Sequence, residues 1–106
     1  MPKYLFHASY TAEGTKGLLK DGGTKRRQAA EAVIKSGGGT LEAFYFAFGE
    51  SDAIVIVDAP DNVSVASVAL AINASGAVTT STTVLMTPEE VDQAVKKTVS
   101  YTAPGR

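Results

Sequence analysis

The sequence predicts an α+β fold in which the elements follow the order β-α-β-β-α-β, with an extra helix at the C-terminal end. This is the split βαβ or ferredoxin-like arrangement. Residues 44–48 and 53–58 are two runs of aromatic and β-branched residues around a short polar turn, which is typical of a β hairpin. Helical patterns follow both the first strand and this hairpin. We therefore expect an antiparallel sheet with its helices on one face and the hairpin at its centre.

The N-terminal third of the chain predicts one strand and a broken helix. Lys3 to Tyr10 alternates between two bulky faces, as an internal strand does. Thr11 is a candidate N-cap for a short helix. Asp21-Gly22-Gly23 interrupts that helix, because paired glycines destabilise a helix by ~1 kcal/mol each. The helix restarts at Thr24 and ends at the three glycines 37–39.

The restarted helix has an inner and an outer face. Ala30, Val33 and Ile34 form an inward apolar stripe. Arg27 and Glu31 stand four residues apart on the outer face, where we expect them to pair in solvent.

The middle of the chain predicts the hairpin and a second helix. Thr40 to Phe48 is the second strand and Ala53 to Ala59 the third. Asp61 or Asn62 can cap a helix from Val63 to Ala74. That helix is almost entirely apolar, so we expect other parts of the protein to cover most of its surface.

The C-terminal part predicts one more strand and one more helix. Gly76 ends the preceding helix, and Val78 to Leu85 forms a Thr-rich fourth strand. Thr87-Pro88-Glu89-Glu90 has the pattern of a capping box, with proline at the first helical position. We predict a single domain over residues 1–99 and a loose or partner-docked tail over residues 100–106.

The uncovered face of such a sheet predicts self-association. Large side chains alternate on both faces of the first two strands, and a soluble monomer rarely leaves an apolar patch of that size in water. We predict a homodimer, or a higher homo-oligomer, in which two copies pack sheet on sheet.

Composition excludes several classes of protein. The 106 residues contain no cysteine, which excludes disulfides, thiol catalysis and thiolate metal sites and fits a reducing cytoplasm. No apolar run is long enough to span a membrane, and no signal-peptide pattern precedes the first strand. The only basic cluster is 25–27, and the third strand has no aromatic residue, so we expect no nucleic-acid partner. We predict a cytoplasmic protein with no metal site.

Several short motifs, in their order and spacing, resemble one known family. They are Tyr10-Thr11 with Glu13-Gly14, Arg26 or Arg27 with Ala30, Gly38-Gly39, Phe44-Tyr45, Asp58-Ala59-Pro60-Asp61, Gly76, Thr80 with Thr82, and Glu89-Glu90. Over residues 3–92 the chain resembles the GYD-domain proteins of the dimeric α+β barrel superfamily. The Gly-Tyr-Asp turn that names the family is here Gly49-Glu50-Ser51-Asp52, without the tyrosine.

The resemblance implies a ferredoxin-like fold and a dimer, and it does not imply one activity. Relatives in the superfamily include heme-handling proteins, small cofactor-free monooxygenases and ligand-sensing domains. Because one fold hosts many functions, the site residues have to decide among them.

Four residues are candidates for a site. His7, the only histidine, could ligate heme or act as a general base, or it could be a half-buried strand histidine bonded to a neighbour. Arg26 falls in line with the buried stripe and requires an anion there; a structural salt bridge to Asp52, Glu50 or Asp58 is preferred over a ligand.

The other two candidates are Asp52 and Tyr45. Asp52 could accept a proton in a closed pocket, or it could bond to the backbone of its own turn. Tyr45, like Tyr4 and Tyr10, could line a pocket for an aromatic ligand or supply core with a polar tip.

The function that makes the fewest demands on individual residues is a dimeric small-molecule binding or structural module with no cofactor. We expect such a module to have a small apolar pocket between the helices and the sheet of each subunit. The alternatives are a cofactor-independent monooxygenase or isomerase, with His7, Tyr45 or Asp52 as proton acceptor, and heme handling through His7. The sequence leaves both binding and catalysis open. No paired carboxylates and no Ser-His-Asp arrangement support hydrolysis.

Overall fold

A computed structural model describes residues 1–106 and contains four strands and four helices. In chain order they are β1 (Lys3–Tyr10), α1 (Ala12–Asp21), α2 (Gly23–Ser36), β2 (Thr40–Phe46), β3 (Ala53–Asp58), α3 (Asn62–Ala74), β4 (Val78–Leu85) and α4 (Pro88–Val95). The strands form one antiparallel sheet with the order β2-β3-β1-β4. The predicted α+β, ferredoxin-like fold is confirmed.

The position of the hairpin in the sheet differs from the prediction. β2 and β3 do pair, but β2 lies at the edge, and the two central strands are β3 and β1. β2 also ends at Phe46, and the side chain of Phe48 is fully exposed. Only one face of β2 is buried. Phe44 and Phe46 pack into the core, whereas Tyr45 between them is exposed.

The core lies between one face of the sheet and the helices. Tyr4 and Phe6 of β1 alternate with half-buried residues and pack beside Val55 and Val57 of β3. The buried residues that cover them from outside the sheet are Ile34, Ala59, Val65 and Val68. Successive side chains along each central strand therefore alternate between a face covered by the helices and a face that the helices leave uncovered.

All three predicted helix N-caps form. The side chains of Thr11, Asp61 and Thr87 each accept a hydrogen bond from the backbone N–H three residues on, at 3.2, 2.8 and 3.2 Å. Glu90 completes the capping box by accepting from the Thr87 N–H at 2.9 Å. The predicted break between the first two helices lies at Gly22, whose φ of 81° is accessible to glycine without steric penalty.

The cap at Asp61 predicts a pH dependence of stability. Hydrogen bonds from the backbone N–H and then the side chain of Ser64 lower the pKa of Asp61 below its ordinary value of 3.8. A lowered folded-state pKa stabilises the fold above the ordinary value, and this contribution is lost as the pH falls through the lower one. Asn caps a helix as well as Asp but does not titrate. We expect wild type and Asp61→Asn to have similar Tm values at pH 7, with wild type falling further below pH 4; a Tm difference independent of pH would contradict this.

Parts of the chain lie outside the core. Val63 and Leu70 on the outer face of α3 are 78% and 69% exposed, so the expectation of cover over most of that helix is wrong within a single chain. Every residue from Pro88 to Thr102, which includes α4, is exposed. The Cα radius of gyration is 16.9 Å, whereas a compact chain of this length has about 13 Å. No helix combines the length and apolar character that crossing a membrane requires.

The second face of the sheet carries no helix, and we call it the open face. Three of its four central residues are apolar: Leu5 pairs with Ile56, His7 pairs with Ile54, and all four are half-buried. At one end, Lys3 Nζ lies 2.8 Å from a carboxylate oxygen of Asp58 and 2.8 Å from one of Glu42, which raise the Lys3 pKa. The charges on this face are therefore paired at its end.

Candidate functional site

A cavity of about 320 Å³ lies between the covered face of the sheet and helices α2 and α3. We call it the helix-sheet cavity. Hydrophobic residues are 14 of the 17 that line it. The lining residues are Phe6, Ala8, Tyr10, Arg26, Ala29, Ala30, Val33, Ile34, Phe44, Ala53, Val55, Ala71, Ile72, Ser75, Ala77, Val78 and Thr80.

Alanines create this cavity. Ala8 and Ala53 stand opposite one another on β1 and β3, where Phe6 and Val55 fill the neighbouring positions. The facing helices also supply alanines, namely Ala29, Ala30 and Ala71. Because a methyl group cannot span the distance between a sheet and the helices packed on it, the space at this end of the core is not filled. The apolar pocket expected between helices and sheet is present, but the sequence did not show which residues line it, although the alanines were visible in the helical stripe.

The helix-sheet cavity opens between α2 and α3. Ala29 on α2 and Ala71 on α3 line it and are exposed, as is Ser75 at the end of α3. Deeper lining residues such as Phe6 and Val55 are buried. The cavity therefore has a mouth in solvent and an apolar end inside the core, as ligand pockets do.

Three of the lining side chains are polar, and the hydroxyl of Tyr10 adds a fourth polar group; two of these four groups form hydrogen bonds within the protein. Ser75 Oγ donates to the Ile72 carbonyl at 2.7 Å, and Thr80 Oγ1 donates to Asn73 Oδ1 at 3.3 Å. The half-buried side chains of Arg26 and Tyr10 have no hydrogen-bond partner in the protein. The cavity thus combines an apolar body with one free guanidinium and one free hydroxyl.

The preferred prediction of a structural salt bridge at Arg26 is wrong. Its direction is as predicted, since Arg26 lines the cavity beneath α2, but no carboxylate lies within ion-pair distance. Asp52 accepts from a backbone N–H, and Asp58 pairs with Lys3. The predicted surface pair of Arg27 with Glu31 does not form either.

His7 lies on the open face, away from the cavity. Its neighbours Phe6 and Ala8 line the cavity, and alternation along β1 turns His7 to the other side. His7 Nδ1 lies 3.2 Å from Ser51 Oγ, which matches the alternative of a half-buried strand histidine bonded to a neighbour. No histidine lines the cavity, so these residues do not fit a heme held there by His7.

The comparison with protein families fits this fold. A family model described as the GYD domain matches residues 4–95. The chain belongs to the GYD-domain family. Comparison with curated proteins and with solved structures found no match. The resemblance seen in the sequence is confirmed, and the matched part of this GYD domain includes the whole helix-sheet cavity and the open face.

The turn that names the GYD domain, Gly49-Glu50-Ser51-Asp52 here, fastens the hairpin to β1. Asp52 Oδ2 accepts from the Tyr10 N–H at 2.8 Å, and the Asp52 N–H donates to the Ala8 carbonyl at 2.8 Å. The Asp52 carbonyl accepts from the Ala47 N–H at 2.8 Å. The Asp52 carboxylate therefore bonds to β1 and not to its own turn, and its role in this GYD domain is to hold strand ends together.

The predicted site residues do not converge on one site in this GYD domain. Only Arg26 lines the helix-sheet cavity. His7 and Tyr45 lie on the open face, where both are level with Ile54, and Asp52 lies beyond the end of that strand. The proton-acceptor roles considered for His7, Tyr45 and Asp52 stay predictions, because these residues do not line one cavity together. No three histidine, aspartate or glutamate side chains are grouped as metal ligands.

Proposed function

We propose that this GYD domain is a homodimeric module that binds one small apolar molecule per chain in the helix-sheet cavity. The observation that carries the proposal is the cavity itself. Its volume of about 320 Å³ falls within the ~300–1,000 Å³ range of small-molecule sites. Its largely apolar lining with a few polar side chains is the usual composition of such sites.

The alanine lining supports an occupant. A ligand that fills the apolar end of the cavity would restore packing contacts that the alanines leave unmade.

The homodimer is supported by the open face. Four strands spaced ~4.8 Å apart and about seven residues long at ~3.3 Å each give a face of roughly 19 by 23 Å. Leu5, Ile54 and Ile56 occupy its centre, and no helix of this chain covers them. A second copy related by a two-fold axis presents the same apolar centre and covers it.

The proposal does not extend to oxygenase or isomerase chemistry. The proton acceptors considered for that chemistry, namely His7, Tyr45 and Asp52, do not line the cavity. Tyr10 and Arg26 are the only titratable residues that do. Binding a ligand without converting it requires no proton acceptor in the cavity, so the residues that line the cavity favour a binding function.

A cavity-filling variant tests the proposal. Ala30 lines the cavity, and we expect Ala30→Phe to occupy part of it and leave the Tm unchanged or raised. Wild type should bind the uncharged fluorophore N-phenyl-1-naphthylamine saturably at one site per chain, and Ala30→Phe should weaken that binding at least about tenfold, the effect of ~1.4 kcal/mol.

Ala32 provides the matched control, since it is exposed on the same helix and lines no part of the cavity. Ala32→Phe should bind the fluorophore as wild type does. Equal binding by wild type and Ala30→Phe, or no saturable binding by wild type, would contradict the proposal.

A further inference from the structure

We infer that the molecule bound in the helix-sheet cavity is an apolar monocarboxylic acid whose carboxylate pairs with Arg26. This inference rests on the proposed function and adds the chemical class of the ligand. It starts from the charges in the cavity. Arg26 is the only charged residue among the lining residues, and no aspartate or glutamate lines the cavity to neutralise it.

The guanidinium of Arg26 is a permanent and unused cation. Arg26 therefore gives the lining of the cavity one positive charge. The side chain is half-buried and makes no ion pair or hydrogen bond with the protein. No acidic residue lies in the first turn of α2, where Arg26 stands, so the positive end of that helix is not compensated there. An anion bound beside Arg26 meets only attraction from these groups.

The charge and the shape of the cavity together select a carboxylate on an apolar body. A single guanidinium offers parallel N–H donors that match the two oxygens of one carboxylate. Lys25 and Arg27, the nearest cations in the sequence, are exposed and do not line the cavity. A phosphate dianion would leave charge uncompensated here. Beyond Arg26 the lining is Phe6, Val55 and alanines, which accept hydrocarbon and reject a second charge.

Tyr10 is a second residue of the lining with an unused donor. It ends β1, and its side chain lines the cavity without a hydrogen-bond partner in the protein. A phenol donates well to a carboxylate oxygen. Arg26 and Tyr10 are thus the two lining side chains whose donors the protein does not use.

Two ligands that differ only in the head group test the inference. Octanoate and octanamide have the same chain, but only octanoate is anionic at pH 7.4. We expect isothermal titration with wild type to show octanoate binding about tenfold or more tightly than octanamide, because charge-assisted hydrogen bonds are stronger than neutral ones. In Arg26→Gln the preference should disappear while octanamide still binds, because the apolar lining is unchanged.

Arg27→Gln removes the same charge from the next position, which faces away from the cavity, and should keep the preference for octanoate. If wild type binds both compounds equally, or if Arg26→Gln retains the preference, the ligand class is wrong and the cavity remains a binding site. If wild type binds neither compound and also fails to bind the uncharged fluorophore, the ligand class and the proposed function both fall.

Discussion

Replacing Gly14 with alanine is expected to destabilise the fold by about 2–3 kcal/mol, the upper part of the range for an overpacked site. Gly14 is buried in α1, and a Cβ atom placed there would lie 2.0 Å from the Ala77 carbonyl oxygen and 3.2 Å from Tyr10 Cδ1. The first of these neighbours is backbone, so no side-chain rotation relieves the clash.

The backbone around Gly14 has little freedom to move. The Thr11 N–H donates to the Ala77 carbonyl at 3.0 Å, and Thr11 Oγ1 donates to the Gly76 carbonyl at 3.0 Å. These bonds fix the start of α1 against the start of β4. We therefore expect Gly14→Ala to move α1 away from the sheet, with a fall in Tm of roughly 10 °C or more in a domain of this size. Tyr10 and Ala77 also line the helix-sheet cavity, so ligand binding should weaken as well.

Gly17 provides the matched control for Gly14. It lies in the same helix, and a Cβ atom there would meet nothing within 4 Å. Alanine is favoured over glycine in a helix by about 0.8–1.0 kcal/mol, so Gly17→Ala should raise the Tm. Thermal unfolding followed by circular dichroism measures both variants. A Tm for Gly14→Ala equal to or above that of wild type would contradict the close approach of α1 to Ala77.

Ile54→Lys is expected to split the proposed dimer into single chains. Ile54 lies on β3 at the middle of the open face, between His7 of β1 and Tyr45 of β2. Ile54 is already half-buried within the single chain, so the dimer covers only the remaining part of a side chain whose full burial contributes about 1.5–3 kcal/mol. The larger effect comes from the lysines, because two-fold symmetry brings two unpaired charges into the apolar interface and an uncompensated buried charge costs about 3–5 kcal/mol. We expect the dissociation constant to rise at least about 100-fold.

Light scattering at micromolar concentration measures this effect. Wild type should give twice the chain mass of 11.0 kDa, and Ile54→Lys should give a particle of 11.0 kDa. Leu19→Lys makes the same chemical change on α1, at a side chain that is 82% exposed and remote from the open face, and should stay dimeric. Far-ultraviolet circular dichroism checks that both variants remain folded. An Ile54→Lys variant that keeps the dimer mass would rule out the open face as the interface.

The sequence predicted those parts of the fold that depend on local interactions. The caps at Thr11, Asp61 and Thr87 each involve residues three apart, so the pattern and the structure agree. The bounds of β4 were predicted correctly for the same reason, since Gly76 before it and Pro88 after it are local signals. The position of β2 at the edge depends on which strands β1 pairs with, and that pairing joins residues far apart in the chain.

The candidate site was predicted only in part, for a similar reason. Helical spacing correctly predicted that Arg26 lies on the inner face of its helix, because the face on which a residue lies depends only on the periodicity of that helix. The partner of Arg26 could not be predicted, since Asp52 and Asp58 form their bonds with β1 residues that tertiary pairing brings near them. The helix-sheet cavity depends on small side chains from four separate elements meeting at one place, and no single stretch of sequence shows that.

Native mass spectrometry of protein purified from its source organism tests most directly whether the chain forms a dimer in which each copy holds a ligand. We expect a particle with two chains of 11.0 kDa that carries up to two identical small masses, both lost when the protein is denatured. A particle of one chain at micromolar concentration would contradict the dimer. The ligand would be contradicted by a dimer from the source organism that carries no extra mass and that also binds neither the acid nor the apolar probe.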